Sequence, residues 1–150
     1  DAHTDGVFGH DAWMSSEQSV SPAEFFVDHP LGLAVFSRLQ DITAHFGGVE
    51  ARVTRSQVAF RCLRGFAYLW LPGRYLARPE AEVVLSIALH HRTESSRWKQ
   101  VLEPAPGRWM HHLELHALTD IDGEVQRWLQ DAACDAGCND CGQPIAGVHQ

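Results

Sequence analysis

The spacing of hydrophobic positions changes near residue 48 of this chain. Before that point, Val35, Leu39, Ile42 and Phe46 recur at helical spacing and would line one face of a helix over 31–46. Two consecutive glycines follow, as is usual where a helix ends. The pattern therefore predicts an amphipathic helix whose apolar face packs on a core.

A shorter helix is predicted just before this one. Ser21 suits the N-cap, Pro22 suits the first helical position, and Glu24 stands three residues after the cap, so that they form a capping box. Pro30 disfavours helical geometry in the residue before it, so this helix should end at 28–29.

From residue 49 onward, apolar and polar residues alternate, which is the spacing of β-strands. The predicted strands are a pair within 49–62, one over 66–70, one over 83–89 and one over 109–115. Phe66, Tyr68 and Trp70 should share one face of the third strand. Before the last strand, the sequence predicts a short helix over 96–102.

A final helix is predicted over 120–133, capped by Thr119 or Asp120, with Val125 and Trp128 on its buried stripe. This order of elements indicates the α+β class. We expect a four- or five-stranded, mostly antiparallel sheet that is packed on one face by two N-terminal helices and one C-terminal helix.

The length of 150 residues fits one domain. We expect a flexible N-terminal arm over 1–20, a single α+β domain over 21–133 and a cysteine-containing C-terminal tail over 134–150. No stretch approaches the roughly 18 apolar residues of a membrane span, and residues 1–10 lack the features of a secretory signal. Four cysteines are too few for a disulfide scaffold, so a reducing, cytoplasmic location is expected.

Three short motifs stand in a fixed order along the predicted domain. They are Glu24-Phe25-Phe26 with His29-Pro30, residues 53–60 running into Gly65-Phe66-Ala67, and residues 106–112 with 125–129. In this order they resemble a bacterial family of domains of unknown function, numbered 5655, over residues 22–133. The resemblance implies little about activity, because members occur alone or joined to other small domains, some of which resemble nucleases.

The net charge of −7 hides an uneven distribution of charge along the chain. Residues 51–110 hold ten of the twelve Lys and Arg residues and have a net charge of +6, whereas both flanking segments are acidic. The ordinary explanation is that strands carry Arg on the side that faces water. The alternative is a basic, aromatic sheet surface that holds single-stranded nucleic acid or another anionic ligand. Under this hypothesis the chain is a non-enzymatic binding or accessory domain, and Arg55, Arg61 and His111 are its tentative ligand-binding residues.

His111 allows a second hypothesis, because it shares a strand face with Trp109 and Leu113. It is either a core imidazole hydrogen-bonded to the backbone or the acid–base residue of a small enzyme, a task for which an ordinary histidine pKa of about 6.5 is suited. The sequence contains no Gly-rich phosphate loop and no Gly-x-Ser-x-Gly motif, and its carboxylates give only a poor nuclease pattern. No catalytic residue is therefore predicted.

Three of the four cysteines crowd the C-terminal tail. Cys134, Cys138 and Cys141 have a spacing that would bring three thiolates to one metal, with His149 as a fourth ligand. Soft sulfur ligands favour zinc, so a third hypothesis is a zinc-stabilised interaction module. The alternative is a flexible tail with free thiols.

Overall fold

The computed structural model describes residues 19–140, and three of the four predicted helices form in this part of the chain. The helices are α1 (Pro22–Phe25), α2 (Pro30–Thr43) and α3 (Gly123–Asp135). The capping box of α1 is present, since the Ser21 hydroxyl accepts the Glu24 N–H at 3.1 Å and the Glu24 carboxylate accepts the Ser21 N–H at 3.0 Å. The cap of α3 is Asp122 rather than Thr119 or Asp120, because the Asp122 carboxylate accepts the Val125 N–H at 3.1 Å.

The strands form one six-stranded antiparallel sheet in the order β1-β2-β3-β4-β6-β5. They are β1 (Glu50–Val53), β2 (Val58–Arg61), β3 (Gly65–Trp70), β4 (Val83–Leu89), β5 (Gln100–Ala105) and β6 (Arg108–Leu115). The predicted α+β class and the antiparallel pairing are confirmed, and the sheet has one strand more than predicted.

The additional strand is β5, where a helix over 96–102 was predicted. β5 pairs with β6 through a tight turn at Gly107, whose φ of +74° suits glycine. As an edge strand, β5 has five of its six residues exposed, so it lacks the alternation that marks a half-buried strand. Pro104 is tolerated because an edge strand pairs on one side only.

The two faces of the sheet have different surroundings. The helix face carries Val58, Phe60, Leu69, Leu85, Ile87 and Leu113, which form one buried cluster with side chains of α1, α2 and α3. The far face carries Ala59, Tyr68, Ser86, Ala88, Met110 and His112. On β6, His111 and His112 therefore point to opposite faces, as predicted for neighbours on a strand.

A bulge between β2 and β3 moves Phe66 to the helix face. Phe60 pairs with Ala67 and Arg61 pairs with Gly65, so Phe66 is an extra residue in the ladder. Its side chain is fully buried in the main cluster. The prediction that Phe66 shares a face with Tyr68 and Trp70 is therefore wrong, because strict alternation fails at a bulge.

Within residues 19–140, backbone contacts continue past both predicted ends of the domain. Ser19 bridges to Thr54 beside β1, and the Val20 N–H donates to the Val53 carbonyl at 3.2 Å. At the other end, the Asp140 N–H donates to the Phe46 carbonyl at 2.7 Å. None of the helices within residues 19–140 has the length and hydropathy to cross a bilayer.

Candidate anion-binding cleft

His111 is fully buried on the helix face of β6. Its Nε2 accepts the Thr93 N–H at 3.0 Å, and its Nδ1 lies 3.3 Å from the Ile87 carbonyl, to which it donates. The ring also packs on Trp98, with ring centroids 4.8 Å apart. Burial is the main cause that lowers the pKa of His111. Both nitrogens are thus engaged with backbone groups in a buried site, which is the arrangement of the core-imidazole alternative.

The neighbouring His112 belongs to a polar chain on the far face. The Trp70 indole N–H donates to the Ser86 hydroxyl at 2.8 Å, and that hydroxyl is hydrogen-bonded to His112 Nδ1 at 2.6 Å. A serine next to a histidine is the arrangement of an activated nucleophile. Here, however, Ser86 has no exposed surface, and the indole N–H already occupies its oxygen. The three groups satisfy one another's hydrogen bonds in a buried setting.

Arg55 and Arg61, the two arginines predicted to bind a ligand, lie at opposite ends of β2. Arg55 is exposed in the β1–β2 turn, where Arg74 donates to its backbone carbonyl. Arg61 is at the other end of the strand, opposite Gly65. His111 is on the other face of the sheet. The structure therefore does not bring Arg55, Arg61 and His111 together, because a strand separates the two arginines and the sheet itself separates the histidine.

A second arginine group surrounds Gly65. Arg64 precedes this glycine, Arg61 is its partner across the ladder, and Arg108 lies 3.5 Å from its carbonyl oxygen through Nη2. The same Nη2 donates to the Tyr68 hydroxyl at 2.9 Å. Arg108 is held half-buried by these contacts, whereas Arg64 is exposed. We call Arg61, Arg64 and Arg108 the arginine cluster.

A cleft of about 340 Å³ opens beside this cluster. Arg64 and Arg108 line it together with His90, the Gly107 turn and the end of α3 at Asp135. Its walls come from β3, β4, the β5–β6 hairpin and α3, so parts of the chain that are distant in sequence meet there. We call it the arginine cleft.

The α3 wall of the cleft is tied to the sheet by polar contacts. Asp135 accepts from His90 Nδ1 at 2.6 Å and from the His90 N–H at 3.2 Å. Arg64 donates to the Asp135 carbonyl, which is one of the unpaired carbonyls at the helix C-terminus. A cation at this end also suits the helix dipole. The Asp135 carboxylate is thus hydrogen-bonded to both the ring and the backbone of His90.

Close packing at Gly65 allows this arrangement. A Cβ at this position would collide with the Tyr68 ring and hydroxyl, the group to which Arg108 donates. Glycine is therefore required at this position so that the Tyr68 ring can lie over the first residue of β3. The position of the Arg108 guanidinium depends on this contact.

The three cysteines within residues 19–140 are disulfide-bonded. Cys62, in the β2–β3 turn, forms a disulfide with Cys138, and Cys134 is disulfide-bonded as well. The expectation of free thiols is wrong for these residues, since the fold brings the turn against the end of α3. Disulfides persist in oxidising compartments, whereas a reducing one was expected.

Two of the four predicted zinc ligands are among these disulfide-bonded cysteines. In the disulfide form, neither Cys134 nor Cys138 offers a thiolate to a metal. Cys141 and His149 lie outside the described residues. Among residues 19–140, no group of three or more His, Cys, Asp or Glu side chains is arranged to hold a metal ion.

No pattern in the sequence predicted that several of these residues would line one cleft. His90 and Asp135 are 45 residues apart, and Asp135 lies beyond the predicted end of the last helix. Arg64 was assigned to a turn. The Gly65 position, after two closely spaced arginines, was the one local feature pointing to a close approach of chain segments.

The sheet, its one-sided helical layer and the arginine cleft define an α+β domain with a polar cleft at one end of the strands. The chain matches the family described as Domain of unknown function (DUF5655) over residues 29–133, and it belongs to that family. The family resemblance of the sequence is thereby confirmed. Neither the curated proteins nor the solved structures contain a match to the chain.

Proposed function

We propose that this is a non-enzymatic binding domain that holds a small anionic ligand in the arginine cleft. The observation that carries the proposal is the presence of Arg64 and Arg108 on one cleft of about 340 Å³, with Arg61 beside them. Guanidinium groups present a planar fork of donors that matches a phosphate or carboxylate group.

The size of the cleft favours a small ligand. Ligand pockets in proteins span about 300–1,000 Å³, and this cleft is at the lower end. A bound strand of nucleic acid would need a longer basic track. Arg55, the basic residue predicted for such a track, is at the opposite end of β2 from Arg61. A compact anion such as a phosphorylated metabolite therefore fits better than a polymer.

The local charges also support an anion. Asp135 is the acidic side chain that lines the cleft, and it is paired with His90. A ligand with two anionic groups would add charge-assisted hydrogen bonds to Arg64 and Arg108, each about twice as strong as a neutral one. Because Arg108 is half-buried, its interaction with an anion is less screened by salt than that of an exposed arginine.

The proposal is tested by calorimetric titration of the full chain with sodium pyrophosphate. Arg64→Gln and Arg108→Gln should each weaken binding by on the order of tenfold, since each removes charge-assisted hydrogen bonds. Arg38→Gln is the matched control, because Arg38 is exposed on α2 and does not line the cleft. Equal losses in all three variants, or no binding to wild type, would contradict the proposal.

A second titration separates the nucleic-acid alternative from a small ligand. The probe is a single-stranded thymidine oligonucleotide, tested against Arg55→Gln and Arg61→Gln at low and high salt. We expect weak binding that Arg55→Gln does not change. Tight, salt-sensitive binding that needs both arginines would show that the ligand is a polymer and that the cleft proposal is wrong.

A further inference from the structure

The far face of the sheet is buried although no described helix contributes to its cluster. Tyr68 is 4% exposed and Met110 is 1% exposed, and the buried cluster on this face consists of Ala59, Tyr68, Ala88 and Met110, all on strands. The cluster on the helix face, in contrast, includes side chains from all three helices. Within residues 19–140, large side chains of the far face are thus withdrawn from water without a helical layer above them.

The described chain begins at the β1 edge of the sheet. Ser19 bridges to Thr54 and the Val20 N–H donates to the Val53 carbonyl, so the chain enters the described part of the structure at this edge. Eighteen residues precede Ser19. They span up to about 60 Å when extended, whereas six strands at about 4.8 Å spacing are about 24 Å across. Residues 1–18 are therefore long enough to cross the far face.

The charges of residues 1–18 and of the far face of the sheet are complementary. Residues 1–18 contain four acidic residues and no Lys or Arg. Three arginines are on the far face. Arg52 pairs with the far-face residue Ala59, and Arg61 is two residues after Ala59 on β2. Arg108 is two residues before Met110 on β6. The segment also has apolar side chains, Phe8 and Trp13 among them, to place on the cluster around Met110. By comparison, residues 141–150 contain no acidic residue. Asp140, which precedes them, donates its N–H to the carbonyl of Phe46, just after α2.

We propose that residues 1–18 bind across the far face of the same molecule, with acidic side chains near the arginines and aromatic side chains over Met110. The far face is then an internal docking surface rather than a free one. This inference does not require the proposed ligand, because it is argued from the burial of Tyr68 and Met110, although the far face and the arginine cleft share Arg61 and Arg108.

Methionine oxidation tests the proposal directly, because the chain has two methionines and Met110 is on the far face. The full chain is treated with hydrogen peroxide, and sulfoxide at Met110 is followed by mass spectrometry. Phe8→Ser combined with Trp13→Ser should raise the oxidation rate at Met110 by on the order of tenfold, since the apolar anchors are lost. Asp5→Asn combined with Asp11→Asn should give a smaller rise that high salt reproduces in wild type.

Leu33→Ser is the matched control, because Leu33 is an exposed apolar side chain on α2. It should leave oxidation at Met110 unchanged. Loss of folding is separated from loss of docking by adding a synthetic peptide of residues 1–18 to the Phe8/Trp13 variant. A docked peptide restores protection of Met110, whereas an unfolded chain stays reactive.

Three results would overturn the proposal. The first is an unchanged oxidation rate at Met110 in the Phe8/Trp13 variant. The second is a peptide that gives no protection although urea unfolding shows that the Phe8/Trp13 variant is folded. The third is protection that disappears on dilution of the wild-type protein, which would assign the cover to a second copy of the chain.

Discussion

Two adjacent histidines on β6 have opposite surroundings but the same electrostatic character. His111 is enclosed on the helix face, and His112 is 9% exposed on the far face. Burial lowers the pKa of both imidazoles, and each is held by a hydrogen bond that suits the neutral ring. The proximity of the two rings lowers the pKa of His112 further. These residues therefore link the stability of the sheet to pH.

The direction of this pH dependence follows from the lowered pKa values. Above the ordinary pKa of 6.5, both rings are neutral in the folded and unfolded chain, and stability is fully present. Below it, the unfolded chain binds protons that the folded chain does not, so the free energy of unfolding falls as the pH falls. Urea unfolding between about pH 7.5 and 5.5 should show this decline. It should be shallower in His112→Asn, which keeps an acceptor for Ser86; an equal slope would show that His112 does not contribute.

A single glycine controls the packing beside the arginine cleft. Gly65→Ala would force a methyl group into the Tyr68 side chain and should cost about 1–3 kcal/mol, as overpacking commonly does. In a Tyr68→Phe background the cost should be smaller, because the hydroxyl is gone. Urea unfolding of the two single variants and the double variant measures this coupling. Additive losses would mean that the two side chains do not meet.

At the scale of elements, most of the architecture was predictable because its signals are local. The capping box at Ser21, the amphipathic spacing of α2 and the alternation in β4 each depend on residues within one or two turns of the chain. The failures have long-range causes. β5 is a strand because β6 offers it a partner, and Phe66 changes face because β2 and β3 pair with a bulge.

A backbone hydrogen bond, an arginine contact and a disulfide join the β2–β3 turn to the end of α3. The Leu63 N–H donates to the Ala136 carbonyl at 2.9 Å, Arg64 donates to the Asp135 carbonyl, and Cys62 is bonded to Cys138. These contacts fix the helix end that walls the arginine cleft. No sequence pattern joined Cys62 to Cys138, because the two are 76 residues apart.

The disulfide at this junction should contribute strongly to stability. Closing a loop of 76 residues restricts the unfolded chain by about 4 kcal/mol in the loop-entropy model. The variant Cys62→Ser with Cys138→Ser should therefore unfold at a lower urea concentration, with little change in its dependence on denaturant. The wild-type protein in reducing agent should lose at least as much, since Cys134 is disulfide-bonded too. An unchanged free energy of unfolding would contradict the pairing.

At the scale of the whole molecule, charge is distributed by topology rather than by sequence order. The cations of the basic middle third are dispersed: one group lies around Arg55 and Arg74, another lies around Gly65, and Arg97 pairs with Asp122 and Glu124 beside α3. A count of charges predicted that a basic surface exists on the sheet. It did not predict where, because the positions of arginines relative to one another depend on strand register and on which end of a strand each occupies.

The most direct measurement of the central claim is a titration of the ¹⁵N-labelled full chain with sodium pyrophosphate, followed by amide chemical shifts. The arginine-cleft account predicts that the largest changes occur at Gly65, His90 and Gly107, the backbone groups that line the cleft. Arg108→Gln should remove these changes, and Arg38→Gln should keep them. Shifts centred on Arg55 and Arg74 at the opposite end of β2, or no shifts at saturating pyrophosphate, would contradict it.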